Sequence, residues 1–303
     1  MRLSSVLPLR LLACSLGVVA ACGGGDDGPA PDAPVGPRCD PTAPFAPPAP
    51  VPELNSAGDD MSARLSADEL TVVLSRATTL GQDLYIATRA STSEPFSAPA
   101  LLATVNSIAT DESPSLSPDG LVLALESTRN TGTYRVFTSR RASVDATFPA
   151  PAPVTGIADG DRQPLLASDS ALYLRSATRP GLGQGDLWRA GIDAAGATTE
   201  PAALIGGVNS ASDESWPVVT ADERVMFFGR TDGMVGAELD VYMAARSTAQ
   251  DGFGAAAQVT GLAQPGVQEV PTWVSPDGCT LYLQSDFSGG QGGIDLYVAT
   301  RGQ

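Results

Sequence analysis

Two stretches decide the fold: Ser117-Pro118-Asp119-Gly120 running into Leu121-Val122-Leu123-Ala124-Leu125, and Ser275-Pro276-Asp277-Gly278 running into Cys279-Thr280-Leu281-Tyr282-Leu283. Proline in second place presets the φ of a turn, and glycine in last place accepts a left-handed backbone. Behind each turn the leucines recur at every second residue, the period of a β-strand. The same register runs through the chain. Asp68, Asp119, Asp169, Asp222 and Asp277 each follow a short polar triplet and precede such a run, at spacings of 51, 50, 53 and 55 residues.

Working outward from those turns, four of the five repeats continue with a Gly-containing loop and then a strand with an aromatic at one slot: Tyr85, Phe137, Trp188, Tyr242 and Tyr297. Asp83, Asp186, Asp240 and Asp295 open that strand, with Arg135 the exception. Outer segments rich in proline follow the same rhythm, at 45–51, 96–102, 148–154, 200–204 and 253–259. Proline cannot donate to a ladder, so these belong at sheet edges. Four strands in about 52 residues is one blade of a β-propeller. The chain is therefore expected to be all-β, a five-bladed β-propeller with four antiparallel strands per blade. Segment 45–51 precedes the first inner trio, and the fifth trio has no outer segment behind it. Closure of the ring by this N-terminal outer strand in the last blade is expected. The boundaries that follow are 1–21, 22–44 and 45–303.

Within this register, Asn106-Ser107, Asp111-Glu112 and the 113–120 turn, with Val208-Asn209-Ser210, Asp213-Glu214 and Asp240 to Tyr242, resemble the TolB-type, WD-like propeller repeat. The resemblance spans about residues 45–303. It implies a secreted or envelope-anchored protein of the kind often made as a lipoprotein.

The composition excludes several chemistries. Of 303 residues, 43% are hydrophobic, enough for a sizeable core; all 18 basic residues are Arg against 34 acids, there is no His, and the net charge is −16. Without His or Lys there is no Ser-His-Asp or Cys-His nucleophile, no His-bound metal, no Schiff-base lysine and no Lys-dependent phosphate loop. Such an acidic chain repels a phosphate backbone, so no nucleic-acid partner is expected.

The N-terminus carries an address. Arg2 and Arg10 flank the start of an apolar stretch, 11–21, too short to span a bilayer as a mature helix. It ends in Val19-Ala20-Ala21-Cys22-Gly23, which resembles a bacterial lipobox. That resemblance implies a lipoprotein signal peptide over 1–21, lipid attachment at Cys22 and, with Gly rather than Asp at 23, the outer membrane, facing either the periplasm or the surface. Cleavage before Cys22 leaves 16 arginines against 34 acids, a net −18. Nine prolines between 23 and 50 make an extended tether. In polyproline geometry residues 22–44 reach roughly 70 Å. Of the remaining thiols, Cys39 precedes the closing outer strand by six residues and Cys279 opens the second strand of the last blade. Those two starts lie on one face, about two strand spacings apart. A disulfide between Cys39 and Cys279 is expected in an oxidising envelope.

Eight residues before each turn aspartate stands an acid: Asp60, Asp111, Asp161, Glu214 and Glu269. In a closed ring they recur around one mouth of the channel, as a ring for a cationic segment or a cation, as caps of their own loops, or as an acid pair for glycoside hydrolysis. Trp216 and Trp273, on neighbouring inner strands, either pack between blades or form an aromatic platform. Arg89, Arg141, Arg246 and Arg301 recur at one slot and are expected to form solvated ion pairs. Read together, these residues point to a monomeric, non-catalytic envelope lipoprotein whose propeller binds or scaffolds an envelope protein or glycan. It needs no cofactor beyond a cation at the mouth, and touches membrane only through its lipid. The alternative is a carbohydrate-binding or glycosidase-like five-bladed propeller using the mouth carboxylates.

Overall fold

A computed structural model describes residues 38–129, 132–168, 170–231 and 238–302. Residues 1–21, Cys22, most of the tether and the turn residue Asp169 lie outside them. Every regular element among the described residues is a strand. β1 (Ala49–Pro50) comes first. Blade one holds β2 (Asp60–Leu65), β3 (Thr71–Thr78), β4 (Gly81–Thr88) and β5 (Ala100–Leu101); blade two holds β6 (Asp111–Leu116), β7 (Val122–Ser127), β8 (Arg135–Arg140) and β9 (Ala152–Pro153). Blade three has β10 (Asp161–Ser168), β11 (Ala171–Ser176), β12 (Asp186–Ile192) and β13 (Thr198–Leu204); blade four has β14 (Glu214–Val219), β15 (Val225–Arg230), β16 (Asp240–Ala245) and β17 (Ala257–Gln258). Blade five has β18 (Glu269–Val274), β19 (Thr280–Ser285) and β20 (Asp295–Thr300), with β1 as its fourth strand. Each sheet is antiparallel and ordered as the chain runs, except that β1 pairs with β20 through Ala49–Val298 and Pro50–Tyr297. The molecule is a five-bladed β-propeller.

The turns form as their residues dictate. Asp68 Oδ1 accepts the Ser66 hydroxyl at 2.5 Å and the Leu70 N–H at 3.0 Å, and Asp119 and Asp277 repeat the pattern with Ser117 and Leu121, and with Ser275 and Cys279. The next residue is left-handed in each: Gly120 and Gly278, but also Glu69 at φ 62°.

The core is five seams rather than one centre. One apolar cluster joins Trp273, Tyr282 and Leu296 of blade five to Leu65, Val72 and Leu74 of blade one. Val73 and Leu84 meet Leu123, Leu125 and Phe137 at the next seam, and the remaining three seams are built likewise. Both faces of each second strand are therefore buried, which is why those strands read as nearly continuous apolar runs. β18 packs on β2, bringing the fifth blade against the first.

The inner strands share a device that composition does not announce. Each slips register early, after two pairs between Met61 and Arg64, Glu112 and Ser115, Arg162 and Leu165, and Ser215 and Val218, and after three between Pro271 and Trp273. Four of these bulges place a non-glycine residue at positive φ: Ser62 (56°), Ser113 (51°), Gln163 (53°) and Trp216 (53°). Such backbone is strained by order 1–3 kcal/mol and persists only where its surroundings hold it. Here the holding bonds cross the seams. Ser62 N–H donates to Gln284 Oε1 of blade five at 2.8 Å, and Trp216 N–H to Gln163 Oε1 of blade three at 2.9 Å. Proline cannot adopt positive φ, and in the fifth strand Pro271 stands beside the slip instead.

Candidate functional site

The five acids that open the inner strands are all fully buried, at 0% exposure. Four sit in one repeated arrangement. A loop N–H caps the carboxylate: Ser56 at 2.6 Å on Asp60, Ser107 at 2.6 Å on Asp111, Ala158 at 2.8 Å on Asp161 and Ser210 at 3.0 Å on Glu214. An arginine from the same blade then neutralises it: Arg76 on Asp60 at 2.5 Å, Arg129 on Asp111, Arg179 on Asp161 at 2.6 Å and Arg230 on Glu214 at 2.8 Å. Each of these arginines lies over the fixed aromatic of its own third strand, Arg76 over Tyr85 at 5.0 Å, Arg129 over Phe137 at 5.0 Å, Arg179 over Trp188 at 5.5 Å and Arg230 over Tyr242 at 4.6 Å. Of the readings offered by the sequence, capping of their own loops is the one these four display: the carboxylates are used inside their blades, because a buried carboxylate needs a counter-charge and hydrogen bonds.

Glu269 breaks the pattern. Its register partner is Ser285, and two residues on stands Phe287, where Arg129 follows Ser127 in blade two. Phe287 packs edge-on against the fixed aromatic Tyr297, with centroids 4.9 Å apart. Gln264 N–H donates to Glu269 Oε1 at 2.9 Å, while Glu269 Oε2 and Ser285 Oγ are buried with no hydrogen-bond partner among the described residues. Burial, reinforced by the carboxylates of Asp240, Asp286 and Glu238, pushes Glu269 up to about 8. The protonated form is thereby favoured, which sets Glu269 apart from the four arginine-paired acids.

A second acidic cluster was not visible in the repeat register. Glu112 and Glu126 face each other across β6 and β7, and Arg162 of blade three reaches both, at 2.7 Å and 2.9 Å. Arg162 also lies 3.7 Å over the Tyr134 ring. Burial and the neighbouring Glu126 raise Glu112 above the ordinary carboxylate range. Glu112 and Glu126 stand where the other blades carry uncharged or basic residues, and only a comparison of blades reveals them.

The other singled-out residues take different positions. Trp216 is the bulge residue of β14, whereas Trp273 is buried at the seam of blades five and one, edge-on to Tyr282 at 5.9 Å. The two therefore occupy different levels of the channel wall. Arg89, Arg141, Arg246 and Arg301, expected as solvated ion pairs, stack instead on Phe96, Phe148, Phe253 and Phe45 at 4.4, 4.5, 4.3 and 4.4 Å. Three of them also donate Nε to the turn carbonyl of their blade, at Glu69, Gly120 and Glu223. Arg89 and Arg246 do face carboxylates, Glu69 and Glu223, at 3.6 and 3.4 Å, but from largely buried positions. Asp186 and Asp295 cap their own loops. Cys39 and Cys279 are joined in a disulfide with Cα atoms 5.6 Å apart.

At the opposite end of the inner strands from the acids, the channel widens into a cavity of about 60 Å³. Its deeper layer is one residue from each blade at equivalent register, Arg64, Ser115, Leu165, Val218 and Trp273, paired respectively with Val73, Ala124, Tyr173, Phe227 and Tyr282. Leu65, Leu116, Leu166, Val219 and Val274 form the next layer, and turn residues such as Pro118 and Pro276 the rim. Among the described residues no carboxylate lines it. Arg64 is 3% exposed and crosses from blade one to donate through both terminal nitrogens to the Pro217 carbonyl of blade four, each at 3.2 Å. Burial lowers it to about 9, so it stays charged at neutral pH. Among the described residues no group of acids, histidines or cysteines is arranged to hold a metal ion.

Comparison with known proteins bears on the fold alone. No family model and no curated protein sequence matches the chain. Among solved structures it is similar to a GH43_1 enzyme from Xanthomonas citri, with 14% identity, TM-score 0.58, and coverage of 84% of this chain and 90% of that one. It is also similar to an α-L-arabinofuranosidase from Podospora anserina in complex with cellotriose, at 10% identity, TM-score 0.51, and coverage of 88% and 98%. A TolB from Acinetobacter baumannii matches at 15% identity and TM-score 0.48 over 83% of this chain; this chain spans 56% of that one.

Proposed function

We propose that the protein is a non-catalytic binding or scaffold module of the cell envelope, carried on a lipid at Cys22 and a proline-rich tether, with an envelope protein or glycan as partner. The observation that supports this reading most is the state of the acids. Glycoside hydrolysis needs two carboxyl groups in unlike environments flanking one bond, and here four of the five repeated acids are paired with arginines while no carboxylate among the described residues lines the channel cavity. The test uses the full-length protein expressed in its own envelope: crosslinking and capture should recover a partner, and Cys22→Ser should move the protein out of the membrane fraction. An unmodified mature N-terminus at any other residue would refute the anchoring.

A hydrolytic reading keeps one foothold, the pair Glu112 and Glu126 beside Tyr134, together with the arabinofuranosidase and GH43_1 folds among the neighbours. Both carboxylates share one guanidinium, which suits a structural clasp better than an acid and a nucleophile. Release of sugar from any member of a broad polysaccharide panel, abolished by Glu126→Gln, would promote hydrolysis over binding.

A further inference from the structure

Arg64 presents an unsettled charge. A buried guanidinium is costly unless it is paired and its donors are used. Arg64 has five N–H donors, and the contacts it makes are to one neutral carbonyl, Pro217 O. No carboxylate among the described residues forms an ion pair with it, in a chain where acids outnumber arginines and nearly every other buried arginine has one or stacks on a ring. The four residues at its level are Ser115, Leu165, Val218 and Trp273, so the site has one cation, one hydroxyl and an apolar wall. Ser115 Oγ accepts the Leu166 N–H at 2.9 Å, which leaves its own proton free to donate.

We propose that this channel is a binding site for a small apolar monocarboxylate, its carboxylate on Arg64 and Ser115 and its hydrocarbon tail against Val218 and Trp273. The chemistry follows from the lining. A phosphate or a dicarboxylate would bring more charge than one guanidinium can match, and a neutral sugar would leave the guanidinium unpaired against an apolar wall. The volume admits a group of a few heavy atoms, either a free short-chain acid or the C-terminal carboxylate of a peptide ending in an apolar residue. A charge-assisted bond in a desolvated site carries the selectivity. The inference stands on the channel alone and does not depend on the tethered-scaffold reading.

The test is a set of matched acid and amide probes against the full-length protein, read by calorimetric titration and thermal shift. 4-Methylpentanoate should bind and raise Tm, while 4-methylpentanamide, the same shape without charge, should bind roughly 10- to 100-fold more weakly. N-acetyl-glycyl-leucine and its C-terminal amide form the second arm. Binding of the free acid alone assigns the site to a metabolite, and binding of the peptide acid as well assigns it to a chain terminus. Arg64→Leu should fold, since an apolar replacement of an unpaired buried charge is neutral or stabilising, and should lose the response to either acid. Absence of any acid-induced shift in the native protein at millimolar probe, or equal responses to acid and amide, would overturn the proposal. Should Arg64→Leu fail to fold, the acid-amide comparison on the native protein decides the matter by itself, with Ser115→Ala expected to weaken acid binding.

Discussion

Glu269 has lost the arginine that its four sisters keep, and this gives the protein a pH profile. Its ordinary value is 4.5 and its folded value about 8. Between those values the folded state holds a proton that the unfolded chain has released. Stability therefore falls as pH rises from about 4.5 to about 8 and levels off above. Glu269→Gln removes that slope, so its melting temperature should exceed that of the native protein at pH 9 and approach it at pH 4.5, by roughly 2–4 °C for each kcal/mol recovered. Phe287→Arg should flatten the slope too, by supplying the missing guanidinium. Parallel melting curves for native protein and Glu269→Gln across that range would discard the assignment. The intact clusters predict the opposite kind of result. Arg76→Met leaves Asp60 buried and unpaired and should cost about 3 kcal/mol, most of it recovered when Asp60→Asn is added. Both outcomes are read from urea midpoints. The positions of the five acids were legible in the sequence because they keep one offset from the turns. Their disposition was not, because the neutralising arginines sit 16, 18, 18 and 16 residues downstream, an interval that no local pattern marks. Arg64 was illegible for a different reason: a lone arginine acquires meaning only when four other blades show what normally stands in its place.

Among the elements, the turns and second strands were the easiest to read and the inner-strand bulges the hardest. A turn aspartate acts on residues two away, and a strand buried on both faces announces itself by its leucines and valines. The bulges at Ser62, Ser113, Gln163 and Trp216 share no single residue type, and at Ser62, Gln163 and Trp216 the left-handed backbone is held by bonds from the neighbouring blade. Gln163 is the most exposed to test, being itself left-handed while its side chain accepts the Trp216 N–H. Gln163→Ala should leave that buried N–H unsatisfied and destabilise the protein by about 1–3 kcal/mol. Hydrogen exchange should then quicken at Trp216 and its neighbours in β14. Unchanged exchange there would mean that the bulge is held by the ladder alone. The outer strands show the converse lesson. Their prolines marked them as edges, yet what pins them is an arginine from the end of the third strand laid on a phenylalanine, at Arg89 and Phe96 as at Arg301 and Phe45.

For the molecule as a whole, the fifth blade draws on both ends of the described chain. Phe45 bridges to Arg301, Asp40 N–H donates to Gly302 O at 3.1 Å, and the Cys39–Cys279 disulfide spans 240 residues. Closing so long a loop constrains the unfolded chain strongly, so Cys39→Ser should lower stability by about 2–5 kcal/mol. Deleting residues 23–37 should leave the melting temperature unchanged, whereas deleting 23–52 removes β1 and the disulfide together and should lower it well beyond the single cysteine change. Equal melting of the two deletions would show that β1 adds nothing. The order of attachments along the chain also sets a path for mechanical load. A pull on residues before 39 meets the covalent link to Cys279 first, and Cys279 begins the second strand of the last blade. The force thus enters the middle of a four-stranded sheet and bypasses the two-residue ladder that holds β1 to β20. With the sulfurs reduced, the same pull would peel β1 from β20 one pair at a time. The disulfide works as a strain relief, of the sort that clamps a cable so that its soldered joint carries no tension.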